Sequence, residues 1–426
     1  MKILTKFFFT LVLFTSSSVF AETNSGDTAW ILTSSALVLF MTLPGLALFY
    51  AGLVQSKNVV SVLCQHFGIA CLMSVLWVIV GYSLAFSAGG SEYIGDFSKL
   101  FLSSIRGSES GTIPEVLFVV FQMTFCIITP ALIIGAYVER IKFSAILIFS
   151  SLWLLTVYCP ITFWVWGGGF MAEMGVKDFA GGIVVHTTAG VAALVIALVL
   201  GKRVSFKNNV SHPPHNPVLS MVGASMLWVG WFGFNGGSAL AADGTASMAI
   251  LVTHIAASLG AFSWIIIEWM RFGKPSLVGM ITGMVAGLAT ITPASGFVGV
   301  QGGIILGIAG GVICYIAVDL IRLRLKIDDS LDVFAVHGVG GMLGTILCAW
   351  LMSAEYGGVG YDDGVVFFDQ FVVQIKSVIY AVIWTIILTY LVLKLTSFIT
   401  SLRVEEEDEA SGLDNSLHGE SGYNNL

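Results

Sequence analysis

The chain has 426 residues, of which 56% are hydrophobic and 11% are charged, and its formal net charge is −7. Soluble proteins carry about 25% charged residues, so the composition excludes an ordinary soluble globular protein and indicates a polytopic membrane protein. Five of the acidic residues lie at 405–409, so much of the net charge belongs to a tail. Basic patches with interleaved aromatic residues do not occur in the sequence, which argues against nucleic acid as a partner.

Residues 1–21 have the pattern of a cleavable secretory signal peptide. Lys2 and Lys6 precede an apolar core at 7–13, and the segment ends in Val19, Phe20 and Ala21. Small residues at the last and third-last positions are typical of a cleavage site. The apolar core is too short to cross a bilayer. We therefore expect cleavage after Ala21, with the mature N-terminus outside the cell membrane.

The rest of the sequence predicts an all-α fold with eleven transmembrane helices. Apolar runs of about 20 residues are long enough to cross a bilayer. They lie near 28–53, 59–86, 114–137, 143–166, 180–201, 217–237, 246–269, 276–292, 298–321, 332–352 and 373–400. We expect a transmembrane domain over 22–403 and a cytoplasmic acidic tail over 404–426.

The positive charges predict the orientation of these helices. With the N-terminus outside, the connections on the inner side carry eleven lysines and arginines, and Lys394 and Arg403 flank the last inner end. The outer side then carries only four: Lys99, Arg106, Lys177 and Lys376. Inner loops of membrane proteins are enriched in lysine and arginine, so the sequence predicts an N-out, C-in topology.

Eleven helices divide into two halves of five, about 28–201 and 217–352, and a final helix at about 373–400. An odd number of helices in each half makes the halves inverted repeats, related by an axis in the membrane plane. The fifth helix contains V-V-H-T-T-A-G and the tenth contains A-V-H-G-V-G-G, at corresponding positions. Transport sites commonly lie at the interface between such repeats.

His186 and His337 are ionisable residues in these two apolar segments, and each is followed four residues later by a glycine. A charged group at a helix centre costs roughly 2.5–3.5 kcal/mol, so such residues are expected to be functional. Helix rise places His186 about 12 Å in from Asp178. The same count places His337 about 8 Å in from Asp332. Across a core of about 30 Å, the two histidines are then roughly 10 Å apart in depth.

The kinds of transport that the sequence permits are limited by its buried charges. No aspartate or glutamate lies at mid-membrane depth in a predicted helix, and no P-loop occurs. An ion-coupled carrier and an ATP-driven pump are therefore disfavoured. A small neutral molecule, or a cation that first loses its proton, fits better, because neutral imidazole can pass a proton. We expect a transport protein rather than an enzyme, without a cofactor or a metal.

Aromatic residues in the outer half are suited to attracting a cation. Phe121 and Phe125 lie four residues apart, hence on one face of the third helix. Aromatic faces attract cations by about 0.5–2 kcal/mol. An interfacial aromatic belt is the alternative, but these two phenylalanines lie two to three turns inside. The fourth and sixth helices end outside in further candidates: Trp166, Trp231, Phe234 and Ser238.

These residues resemble the ammonium transporters of the Amt/MEP/Rh family, most closely its bacterial Amt branch. The matching segments lie in helices one to ten in order: A-L-F-Y-A-G-L-V-Q-S-K-N (47–58), I-I-G-A-Y-V-E-R-I-K-F-S-A (133–145), D-F-A-G-G-I-V-V-H (178–186), G-W-F-G-F-N-G-G-S (230–238) and D-V-F-A-V-H-G-V-G-G (332–341). The resemblance implies a homotrimer in the bacterial inner membrane, with one pore in each subunit. It implies ammonium or ammonia as substrate, with methylammonium as a further candidate.

The resemblance also implies an outer ammonium site. In the family pattern, Phe125, Trp166 and Ser238 form this site. Asp178 is then a carboxylate near the site that is needed for structure or for catalysis.

The deeper part of the pore follows from the same resemblance. Phe121 and Phe234 would form a stacked gate below the outer site, and Trp231 would help to line the vestibule. His186 and His337 would be the histidine pair that lines the conduction path, and only the resemblance places their rings in contact.

The acidic tail and the mode of transport have more than one interpretation. The resemblance implies that a P-II-type signalling protein docks at the inner face and tail; a simply solvated acidic tail is the alternative. The leading hypothesis is recruitment of ammonium outside, its deprotonation, and conduction of ammonia together with the proton. An ammonium sensor that transports little and a neutral-gas channel of the Rh type are the other hypotheses.

Overall fold

The structure is a computed structural model that describes residues 23–210 and 212–423. The predicted signal peptide lies outside the described residues. The described residues are predominantly helical, which confirms the predicted all-α polytopic fold. The N-out, C-in orientation remains a prediction, since it rests on the loop charges.

Eleven apolar helices, numbered α1 to α11, follow one another through the described residues. Ten are long and apolar enough to cross a membrane, whereas α8 has only 15 residues. Their bounds are Ser25–Leu53, Ser56–Phe86, Glu115–Tyr137, Phe143–Glu173, Gly182–Leu200, Pro217–Gly236, Gly244–Phe272, Leu277–Ile291, Val300–Arg324, Phe334–Leu351 and Phe367–Ile399. Each lies at a position where the hydrophobic runs predict a helix.

Shorter elements connect and follow these helices. The outer loop before α3 contains an antiparallel pair of two-residue strands, β1 (Glu109–Ser110) and β2 (Ile113–Pro114). A one-turn helix, Val204–Lys207, follows α5. The tail forms two short helices, α12 (Glu406–Ser411) and α13 (Leu413–His418).

Glycines at four-residue spacing bring α8 and α9 close to α7. A Cβ atom added to Gly283 would lie 2.6 Å from the carbonyl oxygen of Gly260, and one on Gly287 would lie 2.1 Å from that of Ala256. On α9, a Cβ on Gly307 would lie 2.7 Å from Cα of Ala256. Small residues allow this approach in lipid, where close packing contributes much of the attraction between helices. These glycines therefore allow α8 and α9 to pack closely against α7.

A buried ion-pair cluster joins three inner loops. Arg203, after α5, contacts Glu139 at 2.6 Å and Asp328 at 2.8 Å. Arg140 donates to the carbonyl of Asp328 at 2.7 Å and to the hydroxyl of Ser330 at 2.6 Å. Burial alone would raise the pKa of Glu139, but the Arg203 guanidinium outweighs it and lowers that pKa. The cluster fixes the loops that lead into α4, α6 and α10.

The acidic tail packs against the inner ends of the protein's own helices. Asp414 accepts a hydrogen bond from the backbone N–H of Ser61, at the start of α2, at 2.8 Å. Glu409 accepts one from the N–H of Val204 at 2.6 Å and contacts Arg403 at 2.6 Å. The tail is thus part of the folded inner surface, which a simply solvated segment would not be.

Candidate functional site

The two predicted histidines meet at the centre of the molecule. His186 and His337 each lie in a π-helical segment, Gly182–Thr187 and Phe334–Gly338, at the start of α5 and α10. Their Nδ1 atoms are 3.2 Å apart, and their ring centroids are 5.2 Å apart at an interplanar angle of 18°. One imidazole must therefore donate the shared hydrogen while the other accepts it. The crude depth count of roughly 10 Å overestimated their separation.

Glycines four residues after each histidine allow this contact. A Cβ on Gly190 would lie 2.3 Å from both Cα and N of Gly338. A Cβ on Gly341 would lie 2.6 Å from the carbonyl oxygen of Gly182 and 2.8 Å from Cβ of His186. The backbones of α5 and α10 therefore touch where the histidines face each other. The repeated H-x-x-x-G spacing in the sequence reflects this crossing.

Replacement of Gly190 by alanine is expected to separate the two helices. The added methyl group overlaps the Gly338 backbone, and overpacking of this kind costs about 1–3 kcal/mol. We expect a lower melting temperature in detergent and a lower rate of transport per folded molecule. Gly244→Ala is the matched control, because a Cβ there meets nothing within 4 Å. Equal melting curves for the two variants would contradict the role of the crossing.

A narrow apolar cavity of about 10 Å³ adjoins the histidines. A space of this size admits about one water-sized molecule. Its lining consists of the two imidazoles and apolar side chains: Met41, Leu46, Phe49, Ile128, Leu132, Leu227, Trp231, Phe234 and Val285. The cavity therefore offers a small neutral molecule two imidazoles in an otherwise apolar environment.

Trp231 lies at the level of the histidines. Its ring is nearly parallel to that of His186, with centroids 5.4 Å apart, and its indole N–H donates to Thr292 Oγ1 at 2.9 Å. The resemblance assigns Trp231 to the gate and the vestibule. In the structure it is a wall of the histidine cavity and holds one face of the His186 ring.

A pair of stacked phenylalanines adjoins this cavity through Phe234. The rings of Phe125 and Phe234 have centroids 4.3 Å apart and an interplanar angle of 32°, and both are buried. Phe121 packs edge-on against Phe125 at 5.1 Å and borders Gly237, near the outer end of α6. Phe125 thus occupies the stacked position that the family pattern gave to Phe121.

Trp166 and Ser238 lie outside this pair and are partly exposed. The Trp166 ring is perpendicular to that of Phe125, with centroids 5.9 Å apart. The Ser238 hydroxyl donates its hydrogen to the carbonyl of Phe234 at 2.8 Å, which leaves the lone pairs of its oxygen for another donor. The Trp166 ring thus borders the stacked pair through Phe125, and the Ser238 hydroxyl borders it through the backbone of Phe234.

Asp178 accepts hydrogen bonds from four consecutive backbone N–H groups. They come from residues 181, 182, 183 and 184, at distances between 2.6 and 3.1 Å. Its own carbonyl accepts the indole N–H of Trp166 at 2.8 Å. Both oxygens of the carboxylate are thus used to fix the start of α5. Of the two roles that the resemblance allows, the structural one is supported.

Asp329 is a residue that the sequence analysis missed. The predicted depth of His337 was counted from Asp332, but Asp332 has a φ of +59° and is not part of the helix. The carboxylate that accepts the N–H of Phe334, at 2.7 Å, belongs to Asp329. The signal was present in the sequence, because Asp178 precedes His186 by eight residues and Asp329 precedes His337 by the same number. The two halves therefore share an aspartate as well as a histidine.

Comparisons with known proteins identify the family. The model of the Ammonium Transporter Family matches residues 29–423. A putative ammonium transporter from Methanothermobacter thermautotrophicus is 46% identical over 410 residues, which cover 94% of this chain and 98% of the relative. An ammonium transporter from Bacillus subtilis is 43% identical over 403 residues, covering 93% and 98%.

Solved structures that resemble this chain also come from Amt and Mep proteins. One of them, "Sensor Amt Protein", has a TM-score of 0.86 at 28% identity and covers 92% of this chain and 98% of its own. The crystal structure of Saccharomyces cerevisiae Mep2 has a TM-score of 0.81 at 34% identity, covering 90% and 91%. Sequence, fold and site therefore lead to one conclusion: the chain belongs to the ammonium transporter family.

Proposed function

We propose that this protein transports ammonium by recruiting the cation at its outer mouth, removing a proton, and conducting ammonia and the proton past the histidine pair. The observation that carries the proposal is the pair itself. His186 and His337 share a hydrogen at 3.2 Å, and both rings line a cavity of about 10 Å³. A site of this kind suits a molecule that is small, neutral and able to form hydrogen bonds.

Recruitment is assigned to Trp166, Phe125, Phe121 and Ser238. Aromatic faces attract a cation without demanding that it be fully dehydrated. The free lone pairs of Ser238 accept an N–H of ammonium, since the hydroxyl hydrogen is already donated to Phe234. Asp178 holds the Trp166 indole in place through its carbonyl. Asp178 therefore acts as a positioning residue for Trp166.

Deprotonation is required because the path below is buried and lined mostly by apolar side chains. The Phe125 and Phe234 rings that close it are buried. Burying an unpaired charge costs far more than binding returns, so ammonium does not pass as a cation. Ammonia fits the cavity, and the imidazoles, whose ring nitrogens can both donate and accept a hydrogen, pass the proton separately.

A homotrimer is the proposed assembly. His254 is exposed on the surface of α7, where its ring packs against Trp228 with centroids 5.1 Å apart. An ionisable side chain that faces lipid within a transmembrane helix costs free energy. A second copy of the chain that covers this surface removes the cost, which supports assembly through α7.

A P-II-type signalling protein is the proposed partner at the inner face. The support is an open cavity of about 590 Å³ on that side, lined in part by Lys202, Arg322 and Lys326. A cavity of this size admits a protein loop. The packed tail borders the same surface through Lys207, which contacts Glu406 at 3.3 Å.

The transport function is tested by current across a membrane that contains the purified protein, after an ammonium pulse. We expect a saturable inward current. Ammonia flux without current would favour the neutral-gas channel. Absence of both would favour the sensor, the function for which one of the solved structural neighbours is named.

Replacement of Trp166 by leucine is expected to weaken recruitment. Loss of a cation–π contact of about 0.5–2 kcal/mol raises the half-saturating ammonium concentration by roughly 2- to 30-fold. The maximal current changes less, because the histidine pair is intact. Trp164→Leu is the matched control, since the Trp164 indole donates to the carbonyl of Tyr93, in the outer loop. An unchanged half-saturating concentration in Trp166→Leu would remove this residue from the outer site.

A further inference from the structure

The two aspartates that precede the histidines by eight residues differ in how they are bonded. The Asp178 carboxylate accepts four backbone N–H groups, so its lone pairs are occupied. Asp329 Oδ2 accepts the N–H of Phe334 at 2.7 Å, but its Oδ1 is buried and has no hydrogen-bond partner among the described residues. Asp329 is completely buried. Asp329 therefore has a carboxylate oxygen without a hydrogen-bond partner, whereas both oxygens of Asp178 are occupied.

We propose that Asp329 is the inner proton-accepting residue, which takes the proton that leaves the histidine pair and releases it through Asp332 to the inner cavity. The inference rests on the proposed function, because it requires that a proton reach the histidines. The protonated imidazole of His337 gives up its proton, and the Tyr50 hydroxyl, which lies next to the lining of the histidine cavity, relays one to Asp329 Oδ1. The resulting carboxylic acid then returns the proton to water on the inner side, so one proton leaves for each ammonia.

The neighbours of Asp329 provide a route toward the histidine cavity. Leu331, in the same loop, donates its N–H to the carbonyl of Gly135 at 3.0 Å. A Cβ on Gly135 would lie 3.1 Å from the hydroxyl oxygen of Tyr50. That hydroxyl donates to the carbonyl of Leu132 at 3.0 Å, and Leu132 lines the histidine cavity. The Tyr50 hydroxyl therefore lies between the histidine cavity and the loop of Asp329.

The route continues from Asp329 to the inner cavity. Asp332, three residues further along, is half-buried, and its Oδ2 contacts Arg322 at 3.2 Å. Arg322 lines the cavity of about 590 Å³ on the inner side. Asp332 Oδ1 is buried and lacks a hydrogen-bond partner among the described residues. Two spare carboxylate oxygens thus follow one another toward the inner solution.

The charges around Asp329 suit this role. Burial raises the pKa of Asp329 to about 7, and the negative charge of Asp332 adds to the increase. The N–H groups at the start of α10 and the Arg140 guanidinium oppose it, while Asp328 is engaged by Arg140 and Arg203. A group that is half ionised near neutral pH both accepts and releases protons efficiently.

The test compares Asp329→Asn with Asp329→Ala in vesicles that enclose the tail side of the protein. Asparagine caps a helix about as well as aspartate, so it keeps the bond to Phe334 but cannot ionise. We expect Asp329→Asn to keep the melting temperature and to lose at least about tenfold of the ammonium current. Wild-type current with Asp329→Asn, and a loss only with Asp329→Ala, would show that Asp329 is merely a helix cap and would overturn the proposal.

A second measurement covers the case in which Asp329→Asn does not fold. As the enclosed buffer is lowered through about pH 7, Asp329 retains its proton and the wild-type current is expected to fall. Asp332→Asn removes a negative neighbour, which lowers the pKa of Asp329, so the midpoint of the fall moves to lower pH. The maximal current also decreases, because the variant lacks the group through which the proton leaves. An unmoved midpoint would overturn the proposal. Absence of any wild-type current would instead overturn the proposed function itself.

Discussion

Replacing both His186 and His337 by alanine is expected to abolish selective ammonium transport, with a loss of at least about 100-fold in ammonium current or a leak of bulk cations. The two imidazoles are the titratable side chains in the lining of the histidine cavity. Their removal leaves ammonia without its hydrogen-bond partners and the proton without a carrier. It also enlarges the cavity, so other cations gain room to enter with water. Current is measured with ammonium and with potassium in the same membranes.

The control for this experiment is His254→Ala, because His254 lies at the surface of α7 and not in the lining of the histidine cavity. This variant therefore shows how much of an effect comes from assembly alone. Double replacement by asparagine separates the two effects of the histidines, since an amide fills part of the space and forms hydrogen bonds but does not titrate near neutral pH. We expect the asparagine variant to retain selectivity better than the alanine variant while losing current. Unchanged rate and selectivity in either double variant would remove the pair from the transport path.

Replacing Asp178 by alanine is expected to destabilise the protein and to eliminate transport. Four backbone N–H groups lose their acceptor at once, and hydrogen bonds to a charged group contribute about 1.5–3 kcal/mol each. The segment that carries His186 then loses its anchor, and Trp166 loses the carbonyl that orients it. Melting in detergent and ammonium current are measured together, so that loss of function is compared with loss of fold.

Asp178→Asn is expected to be intermediate, because an amide offers one acceptor oxygen where the carboxylate offers two. Asp27→Asn serves as the control: Asp27 is also at the outer side and accepts the N–H of Ala242 at 2.8 Å, but it is only partly buried. If Asp178→Asn has the melting temperature and current of the wild type, the four hydrogen bonds do not explain the role of this carboxylate.

The parts of the fold that follow from length and hydrophobicity could be predicted from the sequence. Each of the eleven predicted runs became a helix, because a segment of about 20 apolar residues has few alternatives in a bilayer. The importance of His186 and His337 was also predictable, since ionisable residues in such segments are rare and costly.

The parts that depend on tertiary contacts could not be predicted in the same way. Helix rise gives depth along one helix, but it does not give the tilt and approach of two helices, so the histidine separation was overestimated. Phe121 and Phe125 share a helix face, and only the position of Phe234 on α6 decides which of them stacks on it. Asp329 and Asp332 are both near the start of α10, and the local φ of Asp332 decided which one caps the helix.

The contact between Gly190 and Gly338 also has a consequence for the movements that are open to the protein. Where the two backbones are in direct contact, a change of side-chain rotamer cannot separate the helices. One half of the protein can then move against the other only if a whole helix backbone shifts. The separation of the two helices at the histidines is thereby set by backbone packing. A close crossing of this kind favours a pore that conducts without a large movement of one half against the other.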